Sequence, residues 1–126
     1  MPIKNSVGTG GRNAVADVFF VQLLLNDWRV RNQRNPIAVD GLVGQETVGA
    51  IEEFQRRVTG KVDGRVDPAG PAIEKLEEFH FQGILSGEWY LPHSRFRRQV
   101  AADNPLVRRA HEEYLKALRE NLARSG

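Results

Sequence analysis

The apolar positions of this chain fall on helical stripes separated by turn-forming clusters. Val18, Val21, Leu24, Leu25 and Trp28 share one face of a helix predicted to begin between Asn13 and Asp17 and to end near Trp28. Phe19, Phe20 and Leu23 fall on its other faces, so this helix is apolar nearly all round and must be buried on more than one side. Val48, Ile51 and Phe54 form a second stripe, predicting a helix from about Gln45 to Arg57. Ile73, Leu76 and Phe79 form a third, fading by about Gln82, with Asp67 as its expected N-cap and Pro68 at its first helical position. The stretch from Gly83 to His93 is irregular, and Ser94 to Ala102 fits a short helix. Asn104-Pro105 opens a final helix reaching about Arg124, with Val107, Ala110, Tyr114, Leu118 and Leu122 on one stripe. That last helix is the expected cover for Phe19, Phe20 and Leu23; a second copy of the chain, forming a homodimer, is the alternative cover.

Between the helices the sequence repeats itself. Val39-Asp40-Gly41-Leu42-Val43-Gly44 is echoed 23 residues later by Val62-Asp63-Gly64-Arg65-Val66-Asp67. In each turn the glycine can take a left-handed conformation, and the aspartate can accept a hydrogen bond from the backbone two residues on. Each turn runs into a helix, so the chain holds two copies of one small unit sharing a core that neither could bury alone. Gly8-Thr9-Gly10-Gly11-Arg12-Asn13 is expected to be a flexible lead-in, Arg29 to Pro36 a polar loop, and Ile37 to Val39 a short extended segment. The fold class predicted is all-α: a small helical bundle with a duplicated turn-helix core of three helices over residues 1–82. Residues 83–126 are expected to be a C-terminal helical extension packing on the core or on a partner.

Composition narrows the function. A chain of 126 residues fits one domain with an appendage, and 40% hydrophobic with 27% charged residues excludes a disordered polymer. With no cysteine there is no disulfide, thiolate nucleophile or thiolate metal site. The most apolar segment, Val18 to Leu25, is far short of the roughly 20 residues that span a bilayer, and no membrane partner is expected. The first eight residues lack the apolar run of a signal peptide, so synthesis in the cytoplasm is expected. Residues 1–92 carry a net charge of −2 and residues 93–126 a net +4, which suggests separate roles. The basic C-terminal helix also carries acidic residues, and a total of only +2 argues against a phosphate-tracking surface. No nucleic-acid partner is expected.

No catalytic constellation emerges. His80, His93 and His111 are not at ligand spacing and read as solvated or partly buried side chains. His111-Glu112-Glu113-Tyr114-Leu115 starts like a zincin helix, but Leu115 occupies the place of the second histidine. Gly83-Ile84-Leu85-Ser86-Gly87 lacks the spacing of a nucleophile elbow, and Gly8-Thr9-Gly10-Gly11 lacks the lysine of a phosphate loop. The Asp-Gly turns lack the oxygen series of a calcium loop. Glu52-Glu53 and Glu77-Glu78 point apart and read as solvated faces. The chain is therefore expected to be no enzyme and to hold no metal or cofactor. Trp89 and Tyr90, close to Arg95, Arg97 and Arg98, either stack on a ligand or anchor a loop; with Arg108 and Arg109 they are the candidate partner-binding residues.

Taken in order, Val21-Gln22-x-Leu24-Leu25-Asn26, Val39-Asp40-Gly41-x-Val43-Gly44-x-x-Thr47, Ala50-Ile51-x-x-Phe54-Gln55 and Val62-Asp63-Gly64-x-Val66-Asp67-Pro68 resemble the peptidoglycan-binding domain, a three-helix module with duplicated Asp-Gly turns. The likeness runs from about Ser6 to Phe79. The leader Ser6-Val7-Gly8-x-Gly10-Gly11-x-Asn13 is similar to versions in bacterial secreted effectors and phage proteins. The resemblance implies non-catalytic binding of peptidoglycan, through its stem peptides, and tethering of a protein to the wall. It places the ligand groove at the turns and the helix starts after them, with Asp40, Gly41, Leu42, Gly44, Thr47, Asp63, Gly64 and Arg65 as candidates. The chain departs from the family at Asp67, Gln45 and the bulky Phe19, Phe20 and Leu23. Helix amino ends present unpaired N–H groups that favour carboxylates, and Arg65 adds a charge partner. Action in the periplasm or cell wall, after delivery by a contractile secretion machine or phage particle, is the leading expectation. An interaction module that has kept the fold without wall binding is the alternative, and a small peptidoglycan hydrolase a third reading.

Overall fold

The computed structural model describes residues 3–86, together with the helical positions Glu112, Lys116, Arg119 and Glu120. Helix α1 spans Val15–Arg31, α2 Gln45–Phe54 and α3 Pro71–Ser86. Two short strands, β1 (Val7–Gly8) and β2 (Arg65–Val66), pair antiparallel with Val7 opposite Val66 and Gly8 opposite Arg65. The helical bundle matches the expected class, and this two-residue ladder is its only sheet among the described residues.

Helix α1 is the axis of the molecule. Every residue from Asp17 to Trp28 is buried, including Phe19, Phe20 and Leu23. The all-round apolar pattern is thus explained by burial on every side. Around it gather Ile3, Val7, Ile37, Ala50, Ile51, Phe54, Val66, Ala72, Ile73 and Leu76. Trp28 meets Phe54 edge to face at 5.1 Å, joining α1 to α2. The proposed cover by the C-terminal helix, the 83–126 extension, the homodimer alternative, Trp89, Tyr90, Arg108 and Arg109, and His93 and His111 lie outside the described residues or are not addressed by them.

The polar residues of α1 are as deeply buried as its apolar ones, and each holds a different segment. The Asp17 carboxylate accepts from the backbone N–H of Lys4 and Asn5, both at 3.0 Å. Asn26 pairs with Ile37 as a neighbouring strand would, donating to its carbonyl at 2.8 Å and accepting from its N–H at 2.7 Å. Asp27 receives Arg31 through two bonds, at 3.0 and 2.8 Å, and faces His80 Nδ1 of α3 at 2.7 Å. Buried polar groups are costly unless paired, so these contacts fix where each loop must lie. Arg31 also donates to the Phe79 carbonyl at 2.8 Å and stacks on the Phe79 ring. His80 is therefore neither solvated nor partly buried: it is fully enclosed.

Several boundaries differ from the sequence expectation for local reasons. Helix α1 runs to Arg31 because Arg31 is anchored on Asp27 one turn back. Its N-cap is Ala14, without a side-chain cap; Asp17 is occupied by the 4–5 backbone instead. The leader is not a flexible lead-in. Asn13, at φ 55°, accepts from Gly8 N–H at 2.7 Å and donates to the Gly8 and Gly11 carbonyls, both at 3.2 Å, knotting the glycine loop. Helix α2 widens into a π-helical turn over Gln55–Thr59, ending at left-handed Gly60, whose N–H donates to the Gln55 carbonyl at 2.7 Å. Helix α3 opens at Pro71, not Pro68. Asp67 is not its cap, because its carboxylate is taken by the Ser6 hydroxyl at 2.6 Å and by Arg65 at 2.9 Å. The same rule, proline at the first helical position, selects the next proline. Helix α3 also continues past Gln82 to Ser86, so residues 83–86 are helical and not irregular. Glu53 is no simple solvated face either: it bridges Arg29 and Arg34, both at 2.6 Å, bracing the loop after α1. The Arg34 hydrogen bond leads in holding its carboxyl below the usual range.

Gly8 packs the leader directly against the second turn. A Cβ on Gly8, at φ +110°, would sit 2.1 Å from the Gly64 carbonyl oxygen, whereas one on Gly60, at φ +81°, would meet open space. Gly8→Ala is expected to cost about 3 kcal/mol of stability and Gly60→Ala about 1 kcal/mol, from backbone strain alone. Urea unfolding of the two variants checks this; equal midpoints would remove the leader from the folded core.

Candidate functional site

The two Asp-Gly turns are built by the same device. The Gln22 side-chain carbonyl accepts from the N–H groups of Asp40 and Gly41, both at 3.0 Å. Its amide nitrogen donates to the Leu42 carbonyl at 2.9 Å, the Thr47 hydroxyl at 3.1 Å and Asp40 Oδ1 at 3.2 Å. In the second copy the Gln55 carbonyl accepts from Asp63 N–H at 3.1 Å and Gly64 N–H at 2.9 Å. Its amide nitrogen donates to Asp63 Oδ1 at 2.8 Å and the Arg65 carbonyl at 3.0 Å. Each aspartate also accepts from the N–H two residues on, Leu42 or Arg65, at 3.0 Å. Gly41 and Gly64 take φ of 77° and 69°, the left-handed region that glycine enters without a Cβ penalty.

Gln22 and Gln55 are the residues that sequence reasoning passed over. Both were visible as Val21-Gln22 and Phe54-Gln55, a polar residue after an apolar one in a helix preceding each turn. Their distances to the turns, 18 and 8 residues, hide the equivalence. Gln22 reaches its turn across the long 32–39 loop, and Gln55 does so from the π-helical turn that places it beside Asp63.

The eight candidates divide by exposure. Gly41, Gly64 and Thr47 are buried and serve the turns, with Thr47 held by Gln22. Asp40 and Asp63 are exposed but spend one carboxylate oxygen on the turn. Leu42 is 65% exposed, the most open large apolar side chain described, and Arg65 occupies the same place in the second copy. Gly44 is exposed at the start of α2, where its carbonyl accepts from Val48 N–H at 3.0 Å. Neither turn therefore closes over its own outer face, and α2 begins without a side-chain cap.

Beside the second turn lies a small pocket of about 40 Å³. Its walls are Lys61, Asp63, Arg65 and Asp67, backed by Gln55 and by Gly70, Pro71 and Ala72 at the start of α3. With one water taking about 10–15 Å³ on this measure, the pocket has room for roughly three water-sized groups. The Gln55 amide, followed by the Arg65 N–H, holds the Asp63 carboxyl below its usual range. Among the described residues no group of three or more His, Cys, Asp or Glu side chains is arranged to hold a metal ion.

Residues 15–69 match the family model described as "Putative peptidoglycan binding domain". The matched span takes in α1, both turns, α2 and Gln55, the parts that form the duplicated device. No curated protein and no solved structure gives a match.

Removing Gln55 leaves two turn N–H groups without an acceptor, so Gln55→Ala is expected to cost about 2–4 kcal/mol, and Gln22→Ala a similar amount. Chemical denaturation measures both, and a loss below about 0.5 kcal/mol would show that the turns stand unaided. Asp63 yields a pH prediction. Its folded pKa lies below the ordinary 3.8, so its contribution is full above that value and is lost as pH falls through the depressed one. Asp63→Asn keeps the acceptor oxygen, and its stability is expected to fall less steeply with acid than that of the wild type.

Proposed function

We propose that this chain, whose residues 15–69 match the peptidoglycan-binding family model, binds the stem peptides of peptidoglycan across the outer faces of its two Asp-Gly turns and so tethers or targets its bearer to the wall. The observation that carries the reading is the division of labour at the turns. Gln22 and Gln55 meet the internal hydrogen-bonding needs of the loops, which leaves Leu42 and Arg65 projecting outward. Leu42, 65% exposed, gives a ligand's methyl groups a surface to cover. Arg65 supplies a cationic fork for carboxylates, which stem peptides carry. The reading is of non-catalytic binding, in keeping with a family model that describes a binding domain. The likeness of the leader to secreted effectors and phage proteins supports delivery to the wall by such a machine.

Purified protein mixed with isolated sacculi and centrifuged is expected to pellet, and the Leu42→Ala/Arg65→Ala variant to bind about ten-fold more weakly, the scale of one lost contact cluster. Wild-type protein left wholly in the supernatant contradicts the reading.

A further inference from the structure

The second turn carries charges that the first turn does without. Set side by side, Ala38-Val39-Asp40-Gly41-Leu42-Val43-Gly44 and Lys61-Val62-Asp63-Gly64-Arg65-Val66-Asp67 share their aspartate, glycine and valines. They share the glutamine clamp as well. They differ at three places, where Ala38, Leu42 and Gly44 are answered by Lys61, Arg65 and Asp67. Because the first turn reaches the same geometry without them, the added charges are not needed to build the loop. All three line the pocket beside the second turn.

Lys61, Asp63, Arg65 and Asp67 are brought to one pocket across the left-handed turn at Gly64, with charges running plus, minus, plus, minus along the chain. Arg65 and Asp67 engage each other at 2.9 Å, and Asp67 is further held by Ser6. Lys61 forms no ion pair among the described residues, and the hydrogen bonds at Asp63 fall on Oδ1, leaving Oδ2 open. The pocket thus offers an ammonium and a carboxylate oxygen whose charges act on each other, neither of them held by a salt bridge among the described residues.

We infer that this pocket receives a zwitterionic amino-acid centre, an ammonium and a carboxylate borne on one carbon, as at the free end of a diamino-dicarboxylic acid in the stem peptide. The ligand ammonium faces Asp63, and the ligand carboxylate faces Lys61 and the outer edge of Arg65. The volume fits such a head group. The inference rests on the wall-binding reading and adds a chemotype to it: stem peptides whose diamino acid lacks the second carboxylate satisfy only half of the pocket. The first turn, with Ala38 and Leu42, is left to the apolar part of the peptide.

The test is an amide-shift titration of the full chain with the tripeptide L-alanyl-γ-D-glutamyl-meso-diaminopimelate. The same peptide with its free diaminopimelate amine acetylated, and with the neighbouring carboxylate amidated, provides the comparison. Wild-type protein is expected to shift at residues 61–72 and to bind either capped peptide about ten-fold more weakly, the loss of one charge-assisted contact. Lys61→Ala/Arg65→Leu installs the first turn's residues and is expected to keep the Asp63 and Gly64 amide signals of a folded turn. This variant should bind the free and capped peptides alike. Equal wild-type affinity for free and capped peptides, or no shift at residues 61–72, overturns the inference. If the same protein still pellets with sacculi, the wall reading survives that result; if it does not, both fall.

Discussion

Two buried glutamine side chains, each using both ends of its amide, hold the two turns from which this domain presents its surface. A primary amide is suited to the task because it combines an acceptor with two donors on one flat group. The acceptor takes two successive backbone N–H groups, and the donors reach an aspartate oxygen and a carbonyl of the same loop. A glutamate in its place would have no donor and would set a second negative charge against the aspartate. Other polar side chains of α1 work in the same way. With Asp17, Gln22, Asn26 and Asp27 each bonded to a different segment, the helix serves as a template on which the leader, the long loop, the first turn and α3 are laid. Apolar packing supplies the bulk of the stabilisation, and the buried polar contacts decide which loop goes where.

Much of the fold was legible because it rests on periodicity and turn chemistry. The stripes through Val21, Ile51 and Ile73 located three helices, and the Asp-Gly echo located the duplication. The partners of buried polar residues were not legible, since a mid-helix Gln or Asn gives no sign of facing inward until its contacts are assembled. Asp17 and Asp67 looked like caps for this reason; each has a cap's chemistry but meets a competing partner from the distant leader. His80 likewise had no neighbour in sequence to announce Asp27. Of the candidate site, the exposed Leu42 and Arg65 stand where a turn places its outward residue, while Thr47 looked equally eligible and turns inward to Gln22.

Duplication gives the chain two loops of one geometry whose outer faces have diverged. One is apolar at Leu42, and the other is charged along Lys61, Asp63, Arg65 and Asp67. A scaffold held from within by glutamine tolerates such divergence, because the side chains of Leu42 and Arg65 take no part in the glutamine clamps. Specificity can then change by substitution on the outer face with little cost to the core.

The central claim is that the glutamine-held turns together form the ligand surface. Mapping amide shifts of the full chain on addition of soluble muropeptides tests it most directly. The account predicts perturbations gathered at residues 38–47 and 61–72, on both turns and the helix starts after them. Perturbations confined to the opposite brace of Arg29, Arg34 and Glu53, with both turns silent, would contradict it.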